Sequence, residues 1–166
     1  MRFIAKAFPV GKAAADGSIF PKNVVEEYLN SDRFKQRLAA RMILGSVTHA
    51  YRDEETLPSK VVAIEDQMLL SQVITHYATD VYIEGDWVYM ELEMLDEKSL
   101  EDTEAYKWIK FIKALLMAGI RLPMSVAVLA RWNKNVCEEI IQISGIDFTL
   151  DPGFAGAGVE DIIDKR

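Results

Sequence analysis

Three side chains in this sequence have the chemistry of a nucleophile and its proton acceptor. Ser125 lies within the apolar run RLPMSVAVLAR, and the chain has two histidines, His49 and His76. A serine becomes a nucleophile when a base lies within hydrogen-bond reach and a third group orients that base. The sequence therefore contains the side chains that acyl-transfer chemistry requires, and a carboxylate is the other possible orienting group.

The pattern of residues around Ser125 predicts a β-strand with two different faces. One face is uniformly apolar, whereas the other carries Ser125 between the small residues Pro123 and Ala127, with Arg121 and Arg131 at its ends. This pattern predicts an accessible hydroxyl, and it makes both arginines candidates to assist an oxyanion directly or through a water. The alternatives are that Ser125 lies where a small residue fits, and that the arginines are solvated charges at strand ends.

The two histidines have different predicted surroundings. His49 lies where a strand passes into a charged loop, a position in which side chains are usually accessible. His76 lies within a strand, where a histidine is more often a satisfied core or surface residue than a catalytic one. The residues predicted to share its face are Ile74, Ala78, Asp80 and Tyr82.

Other kinds of site have little support in the sequence. Two histidines without a third ligand of suitable spacing make a weak zinc site, so no metal is expected. Glycine-rich phosphate loops and the Gly-x-Ser-x-Gly motif are missing, and no cofactor is expected. Cys137, the single cysteine, cannot form an internal disulfide, which fits a reducing compartment and does not favour a catalytic thiol.

Length and charge favour one acidic domain. The chain has 166 residues and a net charge of −7, which leaves no basic field for nucleic acid or an anionic membrane. No apolar run is long enough for a membrane span or a signal peptide. We expect one domain over residues 1–158, followed by a charged tail over residues 159–166.

Strand patterns dominate the chain, and two helical regions interrupt them. The clearest pattern is a hairpin, QVITHYATDVYI and WVYMELEML, joined by the turn Glu84-Gly85-Asp86. The other predicted strands are residues 2–8, 42–49, 120–132 and 138–150, and a helical pattern over 21–42 is interrupted at Asn30-Ser31-Asp32. These elements predict an α+β fold with a largely antiparallel sheet or barrel.

The second helical region has the strongest helix signals. Ser99 is a candidate N-cap, acidic residues follow it, and Gly119 marks the end. The apolar stripe predicted to face the core consists of Trp108, Ile109, Ile112, Leu115 and Leu116.

The order of four segments resembles a known family. The segments are ILGSVTHAY, VITHYATDVYIEGDWVYMELEML, KFIKALLMAGIRLPMSVAVLARW and GIDFTLDPGFAGA. Together they resemble the prohead (capsid maturation) proteases of tailed bacteriophages, especially the T4-like branch, over residues 1–158. In that family a glycine-containing strand delivers a histidine, a hairpin follows, and a helix ending in Ala-Gly leads into the strand of the serine nucleophile.

The resemblance implies roles for individual residues. It makes Ser125 the nucleophile and His49 the general base. The family is similar in fold to the herpesvirus assembly proteases, a β-barrel wrapped by helices with a Ser-His-His arrangement, so His76 is the first candidate for the third member. The acidic alternatives are Asp80, Glu91 and Glu93, because a carboxylate orients an imidazole by the same physics.

Two positions depart from the family pattern. Ala50 follows His49 where the family often has proline, and Pro-Met-Ser-Val-Ala stands where the family commonly has Gly-x-Ser-Ser-Arg-Gly. The arginine and glycines that follow the family's serine are therefore missing. Arg131 and Arg121 remain as substitute candidates for oxyanion assistance.

The resemblance implies a serine endopeptidase that cleaves scaffold and major capsid proteins inside the assembling prohead, in the host cytoplasm. It also implies self-association and self-cleavage at the end of maturation. An alternative is a catalytically inactive scaffold or capsid-assembly protein of the same fold. A third possibility is a small β-barrel binding module with no viral role.

Overall fold

The computed structural model describes residues 1–47, 68–69 and 71–166. His49 and the charged loop predicted after it lie outside the described residues. The strands are β1 (Arg2–Pro9), β2 (Leu44–Gly45), β3 (His76–Glu84), β4 (Trp87–Met94), β5 (Met124–Asn133), β6 (Val136–Phe148) and β7 (Gly158–Asp164). The helices are α1 (Lys22–Leu29), α2 (Asp32–Ala39) and α3 (Glu104–Met117), and a 3₁₀ turn spans Glu97–Leu100.

The described strands form two antiparallel sheets. The larger sheet has the order β2-β3-β4-β1-β7, and β5 and β6 form a long two-stranded sheet. In the described part of the chain the two sheets do not close into a barrel, so the mixed α/β fold with mostly antiparallel sheets is confirmed and the barrel is not. The buried apolar residues of both sheets and the helices belong to one core cluster.

The predicted hairpin is confirmed as β3 and β4. Gly85, with φ of 59°, is the first residue of the two-residue turn, a conformation that glycine adopts at little cost. Along β4 the buried residues alternate with partly exposed ones, as predicted. A bulge between Ala78 and Asp80 shifts the register of β3, so Asp80 is exposed and Val81 is buried. The prediction that Asp80 shares the face of His76 was therefore wrong.

The interrupted helical pattern is confirmed as the pair α1 and α2. Ser31 separates them as the N-cap of α2, where its hydroxyl accepts a hydrogen bond from the Phe34 amide. Both helices pack one apolar side against the core, through Val25 and Tyr28 of α1 and Phe34 of α2.

Helix α3 differs from the prediction at its start and along one edge. It begins at Glu104, and Ser99 belongs to the preceding 3₁₀ turn, whose N-cap is Asp96. The end is as predicted, because Gly119 takes a φ of 84° and closes a Schellman motif. Trp108 is 41% exposed, since the core-facing arc is centred on the buried residues Ala105, Ile109, Ile112 and Leu116.

The C-terminal segment is a strand of the larger sheet, so the prediction of a tail over residues 159–166 was wrong. β7 pairs with β1 in antiparallel register from Gly158 to Asp164. The charged side chains of β7 suggested a tail. They fit an edge strand equally well, because a sheet with one face in solvent carries polar residues on that face.

Candidate functional site

Ser125 is the second residue of β5, and a loop covers it. The predicted strand is confirmed, but only 5% of Ser125 is exposed, so the expectation of an accessible hydroxyl was wrong in this state. Residues 149–157, here called the covering loop, pass over it, and the Gly153 amide donates to Ser125 Oγ at 3.3 Å. The strand pattern could not show this cover, because the loop follows a different strand.

Asp147 faces Ser125 across the two strands. The residues are paired directly in the antiparallel register of β5 and β6, which places their side chains on the same face of the sheet. Asp147 is fully buried, and its Oδ1 accepts a hydrogen bond from the Ser46 amide at 2.9 Å. A buried carboxylate beside a serine is an acid that can orient and stabilise a protonated base.

Asp147 is missing from the candidates predicted from the sequence, although a signal for it was present. It is the one charged residue in the stretch IIQISGIDFTL. The last residues of the strand in this stretch, β6, are buried. Acidic residues are almost never fully buried unless they are paired or functional. A single acid in such a strand therefore indicates a residue that is paired or functional.

The chain that leads to His49 is held beside Asp147. The Phe148 amide donates to the Ser46 carbonyl at 3.0 Å, and Val47 forms a parallel bridge with Phe148. The Ser46 hydroxyl donates to the Val73 carbonyl at 2.6 Å. These contacts fix the described chain up to two residues before His49, next to the end of β6.

His76 is fully buried and has a partner at each ring nitrogen. Its Nδ1 lies 2.8 Å from the Thr75 hydroxyl, and its Nε2 lies 2.7 Å from the Ile146 carbonyl. A carbonyl can only accept, so Nε2 carries the hydrogen and donates. The ring also packs edge-on against Phe148 and lies near Phe3. His76 thus links β3 to β6 one residue before Asp147.

Gly45 makes the approach of His76 to β6 possible. A Cβ on Gly45 would overlap both His76 Nε2 and the Ile146 carbonyl oxygen. The hydrogen bond between these two atoms therefore lies directly against the Gly45 backbone of β2, where no side chain fits. This is a close-approach role of glycine, and it does not depend on an unusual backbone angle.

The acidic alternatives to His76 lie away from Ser125. Glu91 and Glu93 point to the face of β4 opposite the buried one, and Glu91 accepts from Arg2 at 2.7 Å. Asp80 is exposed at the bulge of β3, where its carboxylate accepts from the Val81 amide. The structure does not bring these three acids together with Ser125.

Both arginines have other partners. Arg131 is exposed and donates to Glu139 at 2.6 Å, and it lies six residues beyond Ser125, about 20 Å along an extended strand. Arg121 is also exposed and donates to the Glu160 carbonyl at 2.8 Å. Neither side chain is placed to bind an oxyanion at Ser125.

The described residues offer no metal site, and Cys137 is buried among them. Within residues 1–47, 68–69 and 71–166, no three His, Cys, Asp or Glu side chains lie close enough to hold a metal ion. Cys137 is buried, and burial raises the pKa of its thiol. None of the helices in that part of the chain is long and apolar enough to cross a membrane.

Comparison with solved structures gave a match over almost the whole chain. The matched protein is described as the bacteriophage T4 capsid assembly protease, gp21. The likeness covers 96% of this chain and 79% of gp21, with a TM-score of 0.53 and 15% sequence identity. This chain shares its fold with gp21. No protein-family model and no curated protein sequence matches the chain.

The likeness to gp21 confirms the sequence resemblance at the level of the fold. The fold is like that of a phage prohead protease, without showing a particular branch, and the mostly antiparallel sheets agree with it. At 15% identity a common fold does not by itself transfer activity, because function depends on the residues of the site.

Proposed function

We propose that this protein is a serine endopeptidase of phage capsid maturation. One observation carries the proposal: on a fold shared with a capsid assembly protease, Ser125 lies directly opposite the buried Asp147 and beneath the Gly153 amide. Its substrates would be the scaffold and major capsid proteins inside the prohead, in the host cytoplasm. Other copies of the same chain would be its partners in assembly and its targets in self-cleavage.

In this proposal Ser125 is the nucleophile, His49 is the general base and Asp147 orients the base. His49 follows Val47 by two residues, so the chain limits the distance between their Cα atoms to about 7 Å. Val47 pairs in parallel with Phe148, the neighbour of Asp147. The short connection from Val47 therefore supports a role for His49 between the Asp147 carboxylate and the Ser125 hydroxyl.

Asp147 replaces His76 as our candidate for the third member. Both ring nitrogens of His76 have local hydrogen-bond partners that fix its ring between β3 and β6. Asp147 lies on the serine face of the sheet, and its carboxylate carries the charge that stabilises an imidazolium. His76 then acts as a positioning residue that holds the strand of Asp147 in place.

The proposed chemistry is ordinary acyl transfer. Ser125 Oγ would bond to the scissile carbonyl carbon while His49 takes the hydroxyl proton. The tetrahedral intermediate would then expel the amine, which receives that proton. A water would next attack the acyl group and give a proton to His49, and this proton would return to Ser125 Oγ as the acid is released. Every proton movement uses side chains of this chain.

A fluorophosphonate probe tests the proposal without knowledge of the cleavage site. We expect the folded protein to form a single phosphonyl adduct, which peptide mass spectrometry locates at Ser125. The Ser125→Ala variant should form none and should leave scaffold protein uncut in co-expression. An adduct elsewhere, or scaffold processing by Ser125→Ala, would rule the mechanism out.

The 5% exposure of Ser125 favours one alternative, a structural capsid-assembly protein of the same fold. A covered hydroxyl is what an inactive relative would also show. This alternative predicts no adduct at Ser125, together with normal shell assembly by the Ser125→Ala and His49→Ala variants. Loss of processing in those variants would exclude it.

Substitution of Arg131 should leave the chemistry almost unchanged. Because its guanidinium pairs with Glu139 on the surface, Arg131→Ala is expected to change the labelling rate of Ser125 less than about twofold and stability by less than about 1 kcal/mol. Labelling kinetics and thermal melting measure the two effects. A tenfold slower reaction would instead restore Arg131 as an oxyanion residue.

A further inference from the structure

The covering loop is fixed at both ends to the strand that carries Ser125. At one end the Thr149 amide donates to the Pro123 carbonyl at 3.1 Å, and at the other the Met124 amide donates to the Ala157 carbonyl at 3.2 Å. Both contacts involve residues that immediately precede Ser125. The loop therefore has a defined position over the hydroxyl.

Neighbouring side chains fix the middle of the loop as well. Phe154 follows Gly153 and packs with Phe8 and Phe20, at centroid distances of 6.3 and 5.9 Å. Pro152 precedes Gly153 and restricts the backbone on that side. The amide of Gly153 is thus held between two restrained residues and directed at Ser125 Oγ.

We infer that the Gly153 amide is the oxyanion donor of the site, an assignment that rests on the proposed serine protease function. In the resting state this N–H donates to Ser125 Oγ at 3.3 Å. When Oγ bonds to a carbonyl carbon, the π electrons move to the carbonyl oxygen, which lies beside Oγ. The hydrogen bond from this N–H then passes from Oγ to the new negative charge, while the amide itself stays in place.

A backbone donor explains how the site works without the arginine expected after the serine. Neither Arg121 nor Arg131 is directed at Ser125, whereas the Gly153 amide is within hydrogen-bond distance of it. A donor that is fixed before the reaction stabilises the transition state more than the ground state. The loop after β6 thus supplies what the serine strand lacks.

Removal of the Gly153 N–H tests the inference. We expect Gly153→Pro to slow fluorophosphonate labelling of Ser125 by about 100-fold to 1,000-fold, the loss that follows removal of one oxyanion donor. Ester replacement of the same amide, by incorporation of glycolic acid at position 153, deletes the N–H without a bulky ring. Both variants should react slowly. Because the ring of Gly153→Pro would also press against Ser125 Oγ, the ester variant decides the assignment, and its melting temperature should remain close to that of the parent protein.

The matched control is Ala155→Pro in the same loop. The Ala157 amide donates to the Phe154 carbonyl, and Gly156 has a φ of 87°, so Ala155 occupies the second position of a type II turn, where proline is favoured. This variant should label at the parent rate.

The outcomes separate this inference from the proposed function. If the parent protein labels at Ser125 and the glycolic acid variant labels equally fast, the oxyanion assignment is wrong and the protease proposal stands. If the parent forms no Ser125 adduct, the protease proposal fails first. With a peptide substrate, a loss in kcat with little change in KM supports the assignment, and a change in KM alone overturns it.

Discussion

Asp147→Asn is expected to slow the reaction of Ser125 by about 10⁴-fold, as when the orienting carboxylate of a serine triad is neutralised. The asparagine side chain has the same shape, and its oxygen can still accept the hydrogen bond from the Ser46 amide. Its neutral amide cannot stabilise an imidazolium on His49. Fluorophosphonate labelling rates and scaffold cleavage in co-expression measure the effect.

Asp161→Asn is the matched control, because Asp161 is an exposed acid on β7 and the substitution changes the charge by the same amount. It should react within about twofold of the parent, as expected of a surface substitution. An Asp147→Asn variant that labels as fast as this control would remove Asp147 from the mechanism. A large fall in melting temperature with unchanged labelling would identify Asp147 as a structural acid.

Gly45→Ala is expected to lower the free energy of unfolding by about 2–6 kcal/mol. The new methyl group would overlap His76 Nε2 and the Ile146 carbonyl oxygen, both buried. Strain of about 1–3 kcal/mol would add to about 1–3 kcal/mol for a buried hydrogen bond that is no longer made. Urea unfolding monitored by circular dichroism measures the change.

Gly85→Ala provides the comparison for a glycine of another kind. A Cβ on Gly85 meets nothing within 4 Å, and the cost comes from its φ of 59°, which should lower the free energy of unfolding by about 1–2 kcal/mol. Gly45→Ala should lower the free energy of unfolding clearly more than Gly85→Ala does. Equal stability of the two variants would show that β2 and His76 can move apart without loss.

Local patterns in the sequence predicted the elements that depend on neighbouring residues. The β3–β4 hairpin, the interruption at Ser31 and the end of α3 at Gly119 follow from turn and cap chemistry within a few residues. The alternation around Ser125 also identified a real strand. The order of these segments was enough to indicate the fold that the chain shares with gp21.

The partners of Ser125 depend on contacts that no local pattern contains. Asp147 meets Ser125 through the register of β5 and β6, which includes three irregularities, and alternation in one strand does not specify that register. The Gly153 donor is a backbone amide, which every residue except proline has. A single bulge was likewise enough to turn Asp80 away from the face of His76.

The hydrogen bond between Ser46 and Asp147 has a consequence for the time at which the proposed activity arises. These residues are 101 positions apart, so the bond forms only after a large loop of chain has closed. A nascent chain that has not yet emerged as far as β6 has Ser125 but lacks both its acid and its covering amide. Under the proposed function, proteolytic activity should therefore arise only after β6 and the covering loop have folded, and unfinished chains on the ribosome should not cleave the proteins around them.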